Sequence, residues 1–203
     1  MKKLVAAVLM SALIAQAADM LVVKEEAMVQ QESPSAVGTV LDDTLRASSQ
    51  PEGSGKIIYA KFDASGLDYK IGDITSFEGF ALKSKYPRSA SIFLLAGDGS
   101  NDWKPETITW NTAPGNDASS GRKLLGNNTK IGTFPAPEKG NNQTVACEWD
   151  SDAAKKAVIT ALNTGDRIVT FVIIRPTTKG CKFASLKNMG KKAHPLRMTV
   201  AAE

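Results

Sequence analysis

The residues with the most suggestive chemistry are an aromatic side chain and its cationic neighbours. Tyr59 and Lys61 stand two positions apart in the stretch Lys56-Ile57-Ile58-Tyr59-Ala60-Lys61-Phe62. Their apolar neighbours at 58, 60 and 62 alternate with them. In an extended strand that alternation puts Tyr59 and Lys61 on one face and the apolar set on the other. Arg46 alternates in the same way between Leu45 and Ala47. It lies on the neighbouring strand if residues 51–55 form a hairpin turn. An aromatic ring flanked by cations suits an anionic sugar. The ring stacks on the C–H face of a pyranose, Arg grips a carboxylate with two parallel bonds, and Lys acts as a point charge. The alternative is a solvated outer sheet face with no ligand. Trp103 and Trp110 offer a second platform. Trp110 alternates in phase with Ile108, which predicts burial, and Trp103 can equally anchor a loop.

Asp98, Asn101 and Asp102 fall within one glycine-containing loop. Oxygen ligands from such a loop suit Ca²⁺, so a structural calcium ion is the only cofactor the sequence suggests. The spacing is not that of an EF-hand, and Asx turns account for the same residues without metal. The chain has two cysteines, Cys147 and Cys181, on inward phases of two late strands. In an exported protein they can form a disulfide, and the alternative is two buried thiols. The single histidine, His194, excludes metal sites that need several imidazoles. None of the common nucleophile, zinc or redox motifs occurs, and the expectation is that the protein is not an enzyme. A catalytic carboxylate pair leaves no signature in a sandwich sequence.

The elements that must position these residues read as short strands between turns. Strands are predicted over 56–62, 89–96, 106–110, 143–150, 167–175, 181–185 and 196–201. The 167–175 run is continuously apolar and β-branched, as in a strand covered on both sides. Only 151–163 has helical spacing, with Ala153, Ala157, Val158 and Leu162 on one side and Ser151 or Asp152 as the cap. Many short strands and one short helix predict an all-β, antiparallel β-sandwich, jelly-roll-like in connectivity.

The N-terminus reads as a targeting segment. Met1-Lys2-Lys3 precedes an apolar run from Leu4 to Ile14, and Ala15-Gln16-Ala17 is a small-x-small cleavage site. The expectation is a bacterial-type signal peptide over 1–17 and a single domain over 18–203, secreted or held at the cell surface. Nothing later is long and apolar enough for a membrane span. The net charge of +4 falls to +2 without Lys2 and Lys3. No basic run is long enough to suggest nucleic acid.

The stretch Trp103-Lys104-Pro105-Glu106-Thr107-Ile108-Thr109-Trp110-Asn111-Thr112-Ala113-Pro114-Gly115 resembles the DNRLRE-domain family, which overlaps carbohydrate-binding module family 96 and the disaggregatase-related domains. The family pattern is W-x-E-x-x-I-T-W-N-x-A-P, and here two residues rather than one separate Trp103 from Glu106. The flanks are similar as well. Lys24-Glu25-Glu26-Ala27-Met28-Val29 resembles the opening A-D-A-Y-V strand, with Glu26 where the pattern has Asp. Tyr59-Ala60-Lys61-Phe62-Asp63 resembles Y-L-R-F-D. The resemblance implies a secreted jelly roll that accompanies polysaccharide-active enzymes, with uronate polymers as ligands of some members. The functional expectation is therefore a carbohydrate-binding module for an acidic polysaccharide, with Arg46, Tyr59, Lys61 and Trp103 as its contacts. Two alternatives stand beside it: a structural or adhesive protein whose partners are surface or matrix components, and a polysaccharide lyase or hydrolase.

Overall fold

Alternating and continuous apolar runs become strands, and their two kinds of pattern sort them by how many faces they bury. The computed structural model describes residues 18–38, 43–49, 54–97, 99–120, 123–175, 180–188 and 192–203. The expected signal segment 1–17 lies outside them. In chain order the strands are Ala18–Val22 (β1), Glu25–Gln30 (β2), Thr44–Ala47 (β3), Lys56–Asp63 (β4), Ile71–Ala81 (β5), Ala90–Leu94 (β6), Thr129–Phe134 (β7), Gln143–Ala146 (β8) and Glu148–Trp149 (β9). The helix Asp152–Leu162 (α1) follows, and then Ile168–Ile174 (β10), Cys181–Ala184 (β11) and Arg197–Ala202 (β12).

The strands form two antiparallel sheets. One runs β1-β12-β5-β11-β3, with β8 also paired to β5. The other runs β2-β4-β10-β6-β7-β9. Successive strands mostly change sheets, which makes the fold a β-sandwich, as the sequence predicts. Phe62, Phe77, Phe134, Phe171 and Phe183 fill the space between the sheets. Their rings meet mainly edge to face, with Phe62 and Phe77 centroids 5.6 Å apart, the geometry favoured by the ring quadrupole. The helix closes the core with Ala154, Val158 and Leu162. Of the two caps the sequence offers, the Ser151 hydroxyl fills the position, accepting from the Ala154 N–H at 3.1 Å, while Ala153, expected on the apolar side, is exposed and Ala154 is buried in its place.

A second apolar cluster lies on the outer face of the β2-β4-β10 side. Ala27, Val29, Ile57, Tyr59, Val172 and Ile174 present it. Leu95, Trp103, Ile108, Trp110 and Ala113, from the long connection between β6 and β7, cover it. This explains why β4 and β10 are buried almost throughout.

Three expectations about elements are corrected. Residues 106–110 form turns rather than a strand, and the one ladder-type pairing among their described residues is an isolated bridge between Val37 and Thr109. Residues 143–150 are two strands in different sheets, because the chain crosses over at Cys147. The pattern also does not predict β5, the longest strand. Its core residues Ile71, Ile74 and Phe77 are three apart, since the pairing with β12 shifts register twice. Such irregularities break the two-residue period.

Candidate functional site

The structure takes the expected binding face apart. Tyr59 and Lys61 do share one face of β4, but Leu95, Trp103, Ile108, Trp110 and Ala113 cover that side. Tyr59 is fully buried, and its hydroxyl donates to the Pro114 carbonyl at 3.0 Å. Burial pushes the phenol well above its ordinary pKa. Lys61 is 6% exposed and donates to Glu25 Oε2 at 2.6 Å and to the Trp103 carbonyl at 2.7 Å. Its ammonium also sits 4.6 Å from the Trp103 ring centroid. Arg46 is in the other sheet, on the outer face beside Lys182. Among the described residues the chain after β3 meets β4 at an isolated bridge between Ser48 and Lys56, and residues 51–53 of the expected turn lie outside the described ones. Arg46, Tyr59 and Lys61 therefore cannot contact one ligand together.

Trp103 is a peg rather than a platform. Its ring is buried, and its Nε1 donates to the Thr170 hydroxyl at 2.9 Å. Thr170 in turn donates to Asn101 Oδ1, and Asn101 Nδ2 donates to the Ile168 carbonyl at 2.7 Å. Both ends of the Asn101 amide are thus engaged in fixing the loop to β10. Asp98 lies outside the described residues, and Asp102 is exposed. No group of three His, Cys, Asp or Glu side chains that could hold a metal comes together among the described residues.

The family-like stretch forms a corner. Ala113–Pro114–Gly115–Asn116 is a tight turn closed by the Asn116 N–H on the Ala113 carbonyl at 3.1 Å. Gly115 has φ +68°, which suits the third turn position after proline. Asn116 steadies the corner, donating to the Trp110 carbonyl at 2.7 Å.

The cysteines are both buried and not bonded to each other. Cys147 packs at the crossover against Gly132, where an added Cβ would lie 2.6 Å from its sulfur. Cys181 sits at the start of β11 with its thiol on the Ala47 carbonyl. Burial pushes the two thiols up, to about 12 and about 11.

What the fold builds instead is a cleft of about 630 Å³ beside the start of β2. It is lined from three stretches: Lys24, Glu25 and Glu26; Lys104, Pro105 and Glu106; and Leu186 and Lys187. Its volume is within the range of small-ligand sites. Lys24 is bonded to Asp63, and Glu25 to Lys61. No ion pair engages Lys104, Lys187 or Glu106 among the described residues, and all three are exposed at the cleft.

Glu26 is the unusual member. It is 2% exposed, and its Oε1 accepts from the Leu186 N–H at 2.5 Å. Its Oε2 has no hydrogen-bond partner among the described residues. Burial pushes the carboxyl up to about 7, against the smaller opposing effects of the Leu186 N–H and Lys187. The sequence carries no sign of this, because the partner strand end lies 160 residues away.

The aromatic-plus-cation chemistry expected at Tyr59 occurs elsewhere. Tyr86 is 44% exposed in the β5–β6 connection, with Lys85 Nζ 5.4 Å from its ring centroid and Lys83 and Arg88 exposed beside it. The run Lys83-Ser84-Lys85-Tyr86-Pro87-Arg88 was the available signal. The registers of β2, β4, β10 and β6 put this loop at the opposite end of the sheet from the cleft.

The fold and site define an antiparallel β-sandwich with a lysine-flanked cleft at one sheet edge. No protein-family model matches the chain, and comparison with curated proteins gives no match.

Proposed function

We propose that this protein is an exported, non-catalytic module that binds an acidic polysaccharide, and that the cleft beside β2 is its seat. The observation that carries the reading is that Lys104 and Lys187, from two separate segments, line one cleft of about 630 Å³. Ammonium groups from Lys104 and Lys187 suit a sugar carboxylate. The resemblance of the 103–115 stretch to the DNRLRE domains and the export pattern at 1–17 support the same reading. No helix among the described residues is long and apolar enough to cross a membrane.

The test is a glycan panel against residues 18–203. Uronate polymers are expected to be retained, with retention reduced by Lys104→Ala combined with Lys187→Ala. Equal retention of neutral and acidic glycans would overturn the reading.

A second reading, as a structural or adhesive protein, rests on β1. This edge strand shows Met20 and Val22 to solvent, at 54% and 45% exposure. An apolar edge can pair with another chain. Sedimentation that finds concentration-dependent self-association, lost on Met20→Lys, would favour it.

A further inference from the structure

We propose that the acidic polysaccharide runs on from the cleft across the outer face of the β1-β12-β5-β11-β3 sheet, where Arg46 and Lys182 hold another of its acid groups. The inference rests on the reading above and adds to it a track that takes a chain of several sugar residues.

A pair of like charges carries it. Arg46 and Lys182 stand directly opposite each other where β3 pairs with β11. Leu45, Ala47, Cys181 and Phe183 point into the core, so both cations leave the outer face. The Arg46 side chain leans across onto the partner strand, since a Cβ added at Gly180 would lie 2.7 Å from its Nε. Lys182 is exposed. Like charges directly opposite in neighbouring strands cost stability. No ion pair engages either residue among the described residues. A ligand carboxylate set between guanidinium and ammonium relieves that repulsion.

A hollow of about 390 Å³ joins this pair to the cleft. It is lined by Asp43 ahead of β3, by Phe80 and Leu82 at the end of β5, and by Asn188 and Lys192. On one side the Leu82 N–H donates to the Lys182 carbonyl at 2.9 Å. On the other, Asn188 follows Lys187, which lines the cleft. Lys192 is exposed and has no ion pair among the described residues. Lys104, Lys187, Lys192, Lys182 and Arg46 therefore succeed one another from the cleft to the edge strand β3. Of the acids lining cleft and hollow, Glu25 is paired with Lys61 and Glu26 is buried. That leaves Glu106 and Asp43 against the five cations. β11 runs about 7 Å from Lys182 to Ala184 before the chain reaches Leu186 and Lys187 at the cleft. One sugar ring does not bridge that span, whereas a polymer with repeated acid groups does. Phe80, the aromatic residue of the hollow, is buried against His194, with ring centroids 5.6 Å apart. It offers nucleobases no face to stack on, which favours a sugar chain over a nucleic acid as the polyanion.

The experiment is calorimetric titration of the 18–203 chain with a uronate disaccharide and a uronate decamer, and with a DNA oligonucleotide of the decamer's charge as control. The wild type is expected to bind the decamer more tightly than either of the others. Arg46→Gln combined with Lys182→Gln is expected to lower the ratio of decamer to disaccharide affinity about fivefold, as the loss of two exposed contacts would. An unchanged ratio overturns the track and leaves the cleft reading standing. Decamer binding that is weakened by these changes but not by Lys104→Ala with Lys187→Ala overturns the cleft as the seat, and the continuous track with it. DNA bound as tightly as the decamer overturns the sugar chain as the occupant. Absence of binding to either uronate overturns both proposals. If the double variant does not fold, Lys182→Glu decides. It sets an opposite charge against Arg46, so it is expected to raise the urea midpoint while lowering the affinity ratio. A wild-type ratio in that variant overturns the track.

Discussion

Lys61 shows how one side chain can be read correctly for direction and wrongly for role. It does leave the sandwich core, as the alternation of β4 requires. It then meets the covering loop instead of water. Its ammonium holds Glu25, the Trp103 carbonyl and the Trp103 ring at once. Removing it leaves Glu25 and a buried carbonyl without their donor. Because Glu25 keeps some contact with water, the loss should be below that of a fully buried ion pair. Lys61→Met is expected to cost about 2 kcal/mol. A shift of the urea midpoint with an unchanged slope would report it. An unchanged midpoint would mean that the ammonium is not part of what holds the loop down.

The connection between β6 and β7 behaves as a third layer. Its described residues form no long strand or helix, yet they bury Trp103, Ile108 and Trp110 on the outer face of the second sheet. Polar ties fix it at several points. The Trp110 indole donates to the Ala118 carbonyl at 2.9 Å, and the Asn111 N–H donates to the Pro34 carbonyl at 3.1 Å. A segment without ladder hydrogen bonds depends on such side-chain anchors for its position. Trp110→Ala is expected to cost about 3–5 kcal/mol. The same variant should become sensitive to limited proteolysis within 95–128 before the sandwich core is cut. Cleavage that begins elsewhere would show that this layer is not held by Trp110.

For the molecule as a whole, two carboxyls set opposite limbs of the stability profile. Asp63 is pushed up by partial burial, but bonds from Lys24 and from the hydroxyl and N–H of Ser65 outweigh this and hold it at about 2. Asp73, bonded to Lys155, and Asp117, bonded to Ser119, are lowered as well. A lowered carboxyl contributes stability that is present above its unfolded pKa and lost as pH falls through its folded value. Glu26 has the reverse sign. Burial raises it from 4.5 to about 7, so its contribution is full below 4.5 and lost as pH rises through 7. The loss on that limb is at most about 3 kcal/mol. Stability should therefore be greatest near pH 4–5 and decline towards pH 8. Glu26→Gln should flatten the decline. Denaturant titrations at a series of pH values check this, and a wild-type profile still rising between pH 5 and pH 7 would contradict it.

Local pattern alone determined the class of fold and several of its parts. The alternation in 56–62 gave β4, the unbroken apolar run gave β10, and Ser151 ahead of helically spaced apolar residues gave α1. These signals are local because a strand or helix must place its apolar side chains at its own period. The same logic failed for β5, where bulges move Ile71, Ile74 and Phe77 out of the two-residue period. It failed again at 106–110, whose alternation comes from turns packed on a sheet. Burial of an outward face depends on whether a distant segment folds over it, and no strand records that in its own sequence. Tyr59 and Lys61 were thereby lost as a binding surface. The cleft was hidden for the same reason. Glu26, Lys104 and Lys187 come from three separated stretches, and only the packing of two sheets and a covering loop brings them to one edge.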